Sequence, residues 1–466
     1  MRWTLWGVAL AALAGSLAGL ASVARSAPGR IWTNQDFAVY YAFGQAVREG
    51  RPLYGGLPST SMPFTYPPFA AHVLGLLTRL SFPVAAWSAL IASLVALVAL
   101  IWLVVGACGP RGQRRAVSAV VLAAVCLWLE PVQNDLMLGQ INLFICLLVV
   151  SDLLRTGTSG LSGLGVGVAT GLKLTPGLFM VHFLITRQFR AFWTSVAGLV
   201  VTVGLGFLLS PRDSWTFWSG GFAGTGRIAQ VTPPGYVANQ SLHGFALRIL
   251  QLDAGPRATF LWALLALPAM TVGLAVARRL HQQHDRLLAA GCVALTTLLV
   301  SPVSWSHHWV WVVVVVPAFC RTVAGSGRSR EPLRRLAAAA VAAVLLAVFV
   351  SWPGERLGVR QPTGVIWHQP WNPAPAGSRP EFHWTVPQML GGNAYVWAGL
   401  GLLVVAAVVT GSAAARRAGP PFVGRAGARA SPGRDGRTQP LGRLPPAAVA
   451  GSRPPGPGRP DGGSAG

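Results

Sequence analysis

The chain has 466 residues, of which 52% are hydrophobic and only 11% are charged. Soluble domains carry roughly 25% charged residues, so the composition excludes an ordinary soluble protein and indicates an integral membrane protein. The formal charge of +24 comes from 36 arginines and one lysine, and +7 of it lies between residues 416 and 466. A nucleic-acid-binding surface is therefore a poor explanation of the charge.

Cysteine usage gives no sign of a disulfide framework or of a zinc site. The five cysteines lie inside or at the ends of apolar segments, and none falls in a polar loop or in a CxxC or Cys/His spacing. Disulfide-bonded proteins of oxidising compartments usually carry several cysteines in their loops, and zinc sites carry CxxC or Cys/His spacings. We expect neither a metal nor a cofactor.

Twelve apolar segments are candidates to cross the membrane, some of them as half-helices shielded by protein. They cover about residues 4–24, 84–107, 116–130, 138–154, 160–172, 174–187, 191–209, 258–277, 287–302, 308–321, 335–352 and 395–413. The fifth and sixth are short and glycine-rich, so they could form a broken hairpin or a re-entrant pair. The first could instead be a signal peptide, because small residues follow it at 21–27.

The distribution of charge predicts the orientation through the positive-inside rule. With the N-terminus in the cytoplasm, the inside segments as far as Arg417 carry 17 basic and three acidic residues, and the outside segments carry 13 basic and eight acidic residues. We therefore expect a multi-pass plasma-membrane protein with both termini in the cytoplasm.

Polar and aromatic residues collect in five of the predicted outside regions. They lie in the loop 25–83 and around residues 130–142, 173–176, 239–244 and 304–309, whereas the inside loops hold little besides arginine. This asymmetry predicts a working site on the external face.

Asp36 begins a stretch, 36–49, whose apolar residues at 37, 40, 41, 43 and 47 suit an amphipathic helix lying on the membrane. The carboxylate could cap that helix or act in catalysis. The spacing alone favours neither role.

The chain's only lysine and an adjacent histidine pair are further candidates. Lys173 follows an apolar segment and precedes a proline, where its ammonium could pair with a phosphate or extend to lipid head groups. His307 and His308 adjoin Trp305, Trp309 and Trp311, an arrangement also typical of an interfacial aromatic belt.

Taken in chain order, six features resemble glycosyltransferase family 87 over about residues 30–413. They are Asp36 in the first outside loop and the sequences YPP at 66–68, GQIN at 139–142, GLKLTP at 171–176, NQS at 239–241 and SPVSWSHHW at 301–309. One departure is Ser306, because that position is often acidic in the family. A carboxylate role there is not expected for this chain.

The resemblance implies an all-α integral membrane protein of the GT-C type. Its multi-span helical bundle would have about 12 transmembrane segments, with an amphipathic helix of the first external loop over a cavity. The membrane domain would cover residues 1–414. Residues 415–466 are rich in arginine, glycine and proline and are expected to form a disordered cytoplasmic tail.

The resemblance also implies the reaction. The family contains polyprenyl-phosphate-mannose-dependent alpha-mannosyltransferases, so the donor would be polyprenyl-phosphate mannose. The acceptor would be a lipid-linked glycan such as a phosphatidylinositol mannoside or lipomannan. The family's catalytic carboxylate matches Asp36.

Transfer with inversion from a β-linked lipid phosphate needs one base and a cationic environment for the leaving phosphate. We expect Asp36 as the base. The candidates for binding the donor phosphate or the substrates are Arg48, Arg51, Tyr66, Gln140, Asn142, Lys173, Asn239, Gln240, His307 and His308. No DxD-like pair lies outside, so a divalent metal is not implied.

Three alternatives stay open at this point. Arabinofuranosyl transfer from decaprenyl-phosphate arabinose is one, since such enzymes occur in the same family. A transporter of lipid-linked glycans is another, although we find neither internal repeats nor midplane polar residues. A non-catalytic scaffold would tolerate substitution of Asp36, Lys173 and His308.

Overall fold

A computed structural model describes residues 2–26, 34–54, 60, 62–155, 160–220, 233–324, 331–356, 359–369 and 378–418. The chain divides into a unit of residues 1–417 and a unit of residues 418–466. The tail expected from residue 415 onward therefore falls almost wholly outside the described residues.

The described part is mostly helical. Its first half contains α1 (Arg2–Ser26), α2 (Gln35–Arg48), α3 (Pro68–Gly75), α4 (Phe82–Ala107), α5 (Gly112–Cys126), α6 (Glu130–Leu138), α7 (Asn142–Leu154), α8 (Leu164–Leu172), α9 (Gly177–Ile185), α10 (Phe189–Leu209) and α11 (Pro211–Trp218). A 3₁₀ helix, Leu76–Arg79, follows α3.

The second half contains α12 (Leu242–Leu250), α13 (Pro256–Gln282), α14 (Arg286–Val300), α15 (Val312–Ala324), α16 (Glu331–Phe349), β1 (Trp352–Arg356), β2 (Val359–Thr363), α17 (Val386–Gly392) and α18 (Ala394–Ala418). Three 3₁₀ helices lie at Ser306–Trp311, Val365–His368 and Pro380–His383. Each of the twelve predicted apolar segments therefore coincides with a helix.

Helix starts follow local chemistry. Proline stands in the first turn of α4, α6 and α13, where its missing N–H leaves no internal bond unmade. Two other helices have side-chain caps: Ser241 accepts from the N–H of Gly244 before α12, and Asp285 accepts from that of Leu288 before α14.

Five helices of the described residues are long and apolar enough to cross a membrane, and two bent helix pairs raise the number to seven. The bent pairs are α6 with α7, at 118°, and α17 with α18, at 70°. This coarser picture of a multi-span helical protein agrees with the composition. The count of twelve stays a prediction.

The core surrounds α14, which is buried over most of its length. Helix α13 packs along α14, α8 along α10, α4 along α7 and α15 along α16. Since residues on every side of α14 are buried, this helix lies inside the bundle.

The expectation of an all-α protein needs one correction. Strands β1 and β2 form an antiparallel pair in which Trp352 lies opposite Thr363 and Arg356 opposite Val359. The pair follows the apolar run of α16, where Pro353, Gly354 and Pro362 do not favour extension of the helix.

Glycines let α8 approach α10 closely. A Cβ atom added to Gly167 would lie 2.2 Å from the carbonyl oxygen of Ser195, and one added to Gly171 would lie 2.0 Å from Oγ1 of Thr202. Small residues at such crossings bring helix backbones together in membranes. This contact fixes the position of the residues that follow α8.

We predict that Gly167→Ala destabilises the protein by about 1–3 kcal/mol through overpacking at this crossing. Thermal unfolding of the purified protein in detergent would measure the change. Gly204→Ala on α10 is the matched control, because its added Cβ would meet nothing within 4 Å. Equal melting temperatures for the two variants would contradict the prediction.

Candidate functional site

The site is built where α6 breaks before α7. Gly139 ends α6 with φ +70°, a left-handed conformation that favours glycine, and an added Cβ would lie 2.6 Å from Cβ of Phe37. The N–H of Asn34 also donates to the carbonyl oxygen of Met137, 3.0 Å away. The first turn of α2 is therefore held directly against the break.

This contact places Asp36 beside Gln140. The Nε2 of Gln140 donates to Oδ2 of Asp36 over 2.5 Å, and Oε1 of Gln140 accepts from the hydroxyl groups of Tyr40 at 2.7 Å and Tyr66 at 3.3 Å. Because the tyrosines occupy the amide oxygen, the amide nitrogen faces the carboxylate. We call Asp36, Tyr40, Tyr66 and Gln140 the Asp36 cluster.

The cap interpretation of Asp36 is wrong. Asn34 precedes α2 as its N-cap, and Asp36 lies in the first turn with its carboxylate bonded to Gln140. Burial raises the pKa of the Asp36 carboxyl above its usual value, and the Gln140 hydrogen bond and the charge of Lys173 oppose this rise.

Lys173 lies in the turn between α8 and α9, with only 8% of its surface exposed. Its Nζ donates to Oδ1 of Asn142 at 2.7 Å, lies 2.9 Å from Nε2 of His308, and stands 5.5 Å from the ring centre of Tyr66. An extension to lipid head groups is therefore wrong. Burial lowers the pKa of the Lys173 ammonium to about 8.

Asp135 is a residue of this site that the sequence reasoning did not single out. It lies on α6 with no exposed surface, and its Oδ1 accepts from Nδ2 of Asn142 over 2.7 Å. Its other oxygen, Oδ2, has no hydrogen-bond partner in the described part of the chain. A carboxylate beside an apolar segment was the available signal, because such groups are costly near the hydrocarbon. Asp135, Asn142, Lys173 and His308 form the Lys173 cluster.

The 3₁₀ helix Ser306–Trp311 contains His307 and His308 and places both at the Lys173 cluster. The carbonyl oxygen of His307 accepts from Nδ2 of Asn142 at 3.4 Å, and the two histidine rings meet edge to face with their centres 4.7 Å apart. Trp309 and Trp311 are buried in the core. The interpretation of an interfacial aromatic belt is therefore wrong for these two tryptophans.

A small, partly open cavity of about 20 Å³ adjoins the Lys173 cluster. Its lining residues are Asn142, Ile145, Thr175, Pro176, Phe179, Thr297, Leu298, Ser304, His308 and Trp311. Half of these residues are polar and half are apolar, so the wall offers hydrogen-bonding groups beside apolar surface. Nowhere in the described ranges do three His, Cys, Asp or Glu side chains gather as metal ligands would.

The side chains of four predicted binding residues contact groups outside the Asp36 and Lys173 clusters. Arg48 donates to the backbone and hydroxyl oxygens of Thr78, and Arg51 pairs with Glu49 at the surface. The side-chain amides of Asn239 and Gln240 are fully buried and donate to backbone carbonyl groups.

Asn239 nevertheless supports the site from outside it. Its Oδ1 accepts from the N–H of Ser304 at 2.8 Å, and the backbones of Asn239 and Trp305 form an isolated β-bridge. Arg248, which is fully buried, donates in turn to the carbonyl oxygen of Asn239 and to Oδ1 of Asn393. The loop that carries Asn239 therefore positions the chain just before the histidines.

Glu130, at the start of α6, is a second residue that the sequence reasoning missed. Its Oε1 accepts from Oγ of Ser306 at 3.0 Å and from Nε1 of Trp367 at 2.8 Å, and its Oε2 accepts from the hydroxyl of Tyr395 at 2.8 Å. One carboxylate thus ties the histidine segment to α6 and α18.

Comparison with known proteins adds a family to this geometry. The family model of glycosyltransferase family 87 matches residues 64–302. A polyprenol-phosphate-mannose-dependent alpha-(1-2)-phosphatidylinositol mannoside mannosyltransferase of Mycobacterium tuberculosis (strain ATCC 25618 / H37Rv) is 33% identical over 87% of this chain and 90% of its own length.

Two further relatives agree with this match. The protein of the same description from Mycolicibacterium smegmatis is 32% identical over 85% of this chain and 89% of its own length. An alpha-(1-2)-phosphatidylinositol pentamannoside mannosyltransferase of Mycobacterium tuberculosis (strain CDC 1551 / Oshkosh), also described as polyprenol-phosphate-mannose-dependent, is 33% identical over 73% of this chain and 77% of its own length. No solved structure gives a significant match.

We predict that the amine of Lys173 titrates near pH 8, below the usual value of about 10.4 for an exposed lysine. The pH dependence of acylation, followed by peptide mass spectrometry, would measure it without overlap, because no other lysine is present in the chain. The denatured protein is the control and should titrate normally. A midpoint near 10 in the folded protein would contradict the prediction.

Proposed function

The chain belongs to glycosyltransferase family 87 and is a membrane glycosyltransferase, and from this premise we propose that it transfers a mannosyl residue from polyprenyl-phosphate mannose to a phosphatidylinositol mannoside or a related lipid-linked glycan. The relatives carry this donor and this acceptor class in their descriptions. The observation that carries the proposal is that a half-buried carboxylate, Asp36, acts electrostatically on a buried cation, Lys173, which Asn142 and His308 connect to the cavity.

The proposed reaction is a single displacement with inversion. An acceptor hydroxyl attacks the anomeric carbon while the bond to the phosphate oxygen breaks and the electron pair leaves with the polyprenyl phosphate. The hydroxyl proton passes to Asp36. The transition state resembles an oxocarbenium ion, as in glycoside hydrolysis.

Asp36 suits the role of base. Gln140 holds Oδ2 of the carboxylate, and Oδ1 makes no hydrogen bond to another described residue. One oxygen is thus fixed in place while the other is available for the acceptor hydroxyl. A raised pKa also makes a carboxylate a stronger base near neutral pH.

Lys173 and His308 are suited to stabilising the negative charge of the leaving phosphate. An ammonium in a site shielded from water stabilises developing negative charge more strongly than it would in bulk solvent. His308 and Asn142 face the cavity next to this ammonium. Tyr66, Gln140 and His307 complete the site as binding residues.

The finer topology is part of the same proposal. We place the site on the external face of the plasma membrane, with both termini in the cytoplasm, in a GT-C bundle of about twelve segments with residues 1–414 as the catalytic domain. The excess of basic residues in the predicted inside segments supports this orientation. Helix α2 would then lie on the outer membrane surface above the cavity, and residues 415–466 would form a cytoplasmic tail.

We predict that Asp36→Asn lowers mannosyl transfer by about a hundredfold or more, the usual contribution of a general base. Membranes that contain the protein would be given radiolabelled polyprenyl-phosphate mannose, and label in glycolipids would be measured. Glu49→Gln, an exposed carboxylate just after the same helix, is the matched control and should keep full activity. Full transfer by Asp36→Asn would remove this residue from the mechanism.

We also predict that transfer declines as the pH falls through the raised pKa of Asp36, because the protonated carboxyl cannot accept a proton. Gln140→Met removes a hydrogen bond that stabilises the carboxylate, so the pKa should rise further and the acid limb of the profile should move to higher pH. The pH dependence of kcat/KM would show this. A limb that stays in place or moves to lower pH would contradict the assignment.

A further inference from the structure

Four buried or half-buried side chains form a continuous row inside the Lys173 cluster. Asp135 accepts from Asn142 at 2.7 Å, Asn142 accepts from Lys173 at 2.7 Å, and Lys173 lies 2.9 Å from Nε2 of His308. The residues come from α6, from the first turn of α7, from the α8–α9 turn and from the 3₁₀ helix Ser306–Trp311. The row ends at the cavity, which His308 lines.

Donor and acceptor rules fix the direction of every bond in this row. An ionised carboxylate only accepts, so Asn142 turns its amide nitrogen toward Asp135 and its oxygen toward Lys173. An ammonium only donates, so Nε2 of His308 must accept from Lys173. A neutral imidazole that accepts through Nε2 carries its proton on Nδ1.

From this row we propose that Asp135 is a positioning residue that acts through Asn142 and Lys173 to set the tautomer of His308, so that its Nδ1–H donates into the cavity. The inference rests on the proposed function, because it gives His308 its task in phosphate departure. Nδ1 of His308 makes no hydrogen bond to any described residue, so this donor is available to a ligand.

The role assigned to His308 is that of a neutral hydrogen-bond donor and not of a base. Its Nδ1–H would hold a non-bridging oxygen of the donor phosphate while Lys173 supplies the charge. No proton need leave either group during transfer. The base remains Asp36, in the other cluster.

A purely structural role for Asp135 is the competing explanation, and the two differ in what they predict for Lys173. A negative charge two side chains away favours the protonated amine, whereas a packing role leaves the titration of the amine unchanged. The titratable groups acting on this amine are Asp135, Asp36 and Cys146, with His308 in direct contact and the ring of Tyr66 5.5 Å away.

The first test is Asp135→Asn, which keeps the shape of the side chain and removes its charge. We expect the acylation midpoint of Lys173 to fall by about one pH unit or more. We also expect kcat for transfer to fall on the order of tenfold to a hundredfold, with a smaller change in the KM for the donor. Asp152→Asn is the matched control, because this buried carboxylate on α7 accepts instead from the N–H groups of Gly163 and Val166.

An unchanged midpoint in Asp135→Asn, or an equal shift in Asp152→Asn, would overturn the proposal. The acylation measurement needs no transfer, so it separates this proposal from the proposed function. If the Lys173 midpoint shifts in Asp135→Asn but Asp36→Asn still transfers mannose, the role of Asp135 is supported and the assignment of Asp36 as the base is refuted. If the midpoint does not shift in Asp135→Asn but Asp36→Asn loses transfer, the role of Asp135 is refuted and the assignment of Asp36 as the base is supported.

The second test examines the tautomer of His308 directly. It can be carried out even if Asp135→Asn does not fold. The amide nitrogen of asparagine can replace Nδ1–H of histidine, whereas the longer glutamine reaches the Nε2 position. His308→Asn should therefore keep more transfer than His308→Gln, by about tenfold. Higher transfer in His308→Gln would overturn the assignment of Nδ1 as the donor.

Discussion

The burial of one ammonium group determines much of the arrangement around the site. An uncompensated charge inside a protein is strongly destabilising, so the position of Lys173 requires hydrogen-bond acceptors and negative charge nearby. Asn142 and His308 meet the first requirement, and Asp135 and Asp36 meet the second. Two of these groups, Asn142 and His308, also line the cavity, and Asp36 is the proposed base.

Interruptions of helices make this arrangement possible. A continuous membrane helix satisfies its own backbone and presents mainly apolar side chains to its surroundings. The break between α6 and α7 carries Gln140, the turn between α8 and α9 carries Lys173, and a 3₁₀ helix before α15 carries His308. The close glycine crossing of α8 with α10 and the contact of Phe37 with Gly139 bring these interruptions to one place.

The sequence predicts much of this. Apolar runs locate the helices because a segment surrounded by lipid must pair its own backbone N–H and C=O groups, which a helix does. Six short motifs led to a family that the comparisons confirm. Asp135 was missed because its partner Asn142 lies beyond a bend of 118°, which no periodicity reveals. Arg48 was expected at the phosphate, but the sequence does not show that the carbonyl group of Thr78 lies within its reach.

The carboxylate of Glu130 accepts hydrogen bonds from three segments that are distant along the chain, through Ser306, Trp367 and Tyr395. All three of these donors lie beyond residues 64–302, which the family model covers. The consequence concerns recombination among relatives. A chimera that takes its first half from one homologue and its last helix from another would combine the Glu130 acceptor of one protein with donors of the other. We expect such a chimera to fold only where all four residue types, Glu130, Ser306, Trp367 and Tyr395, are kept together.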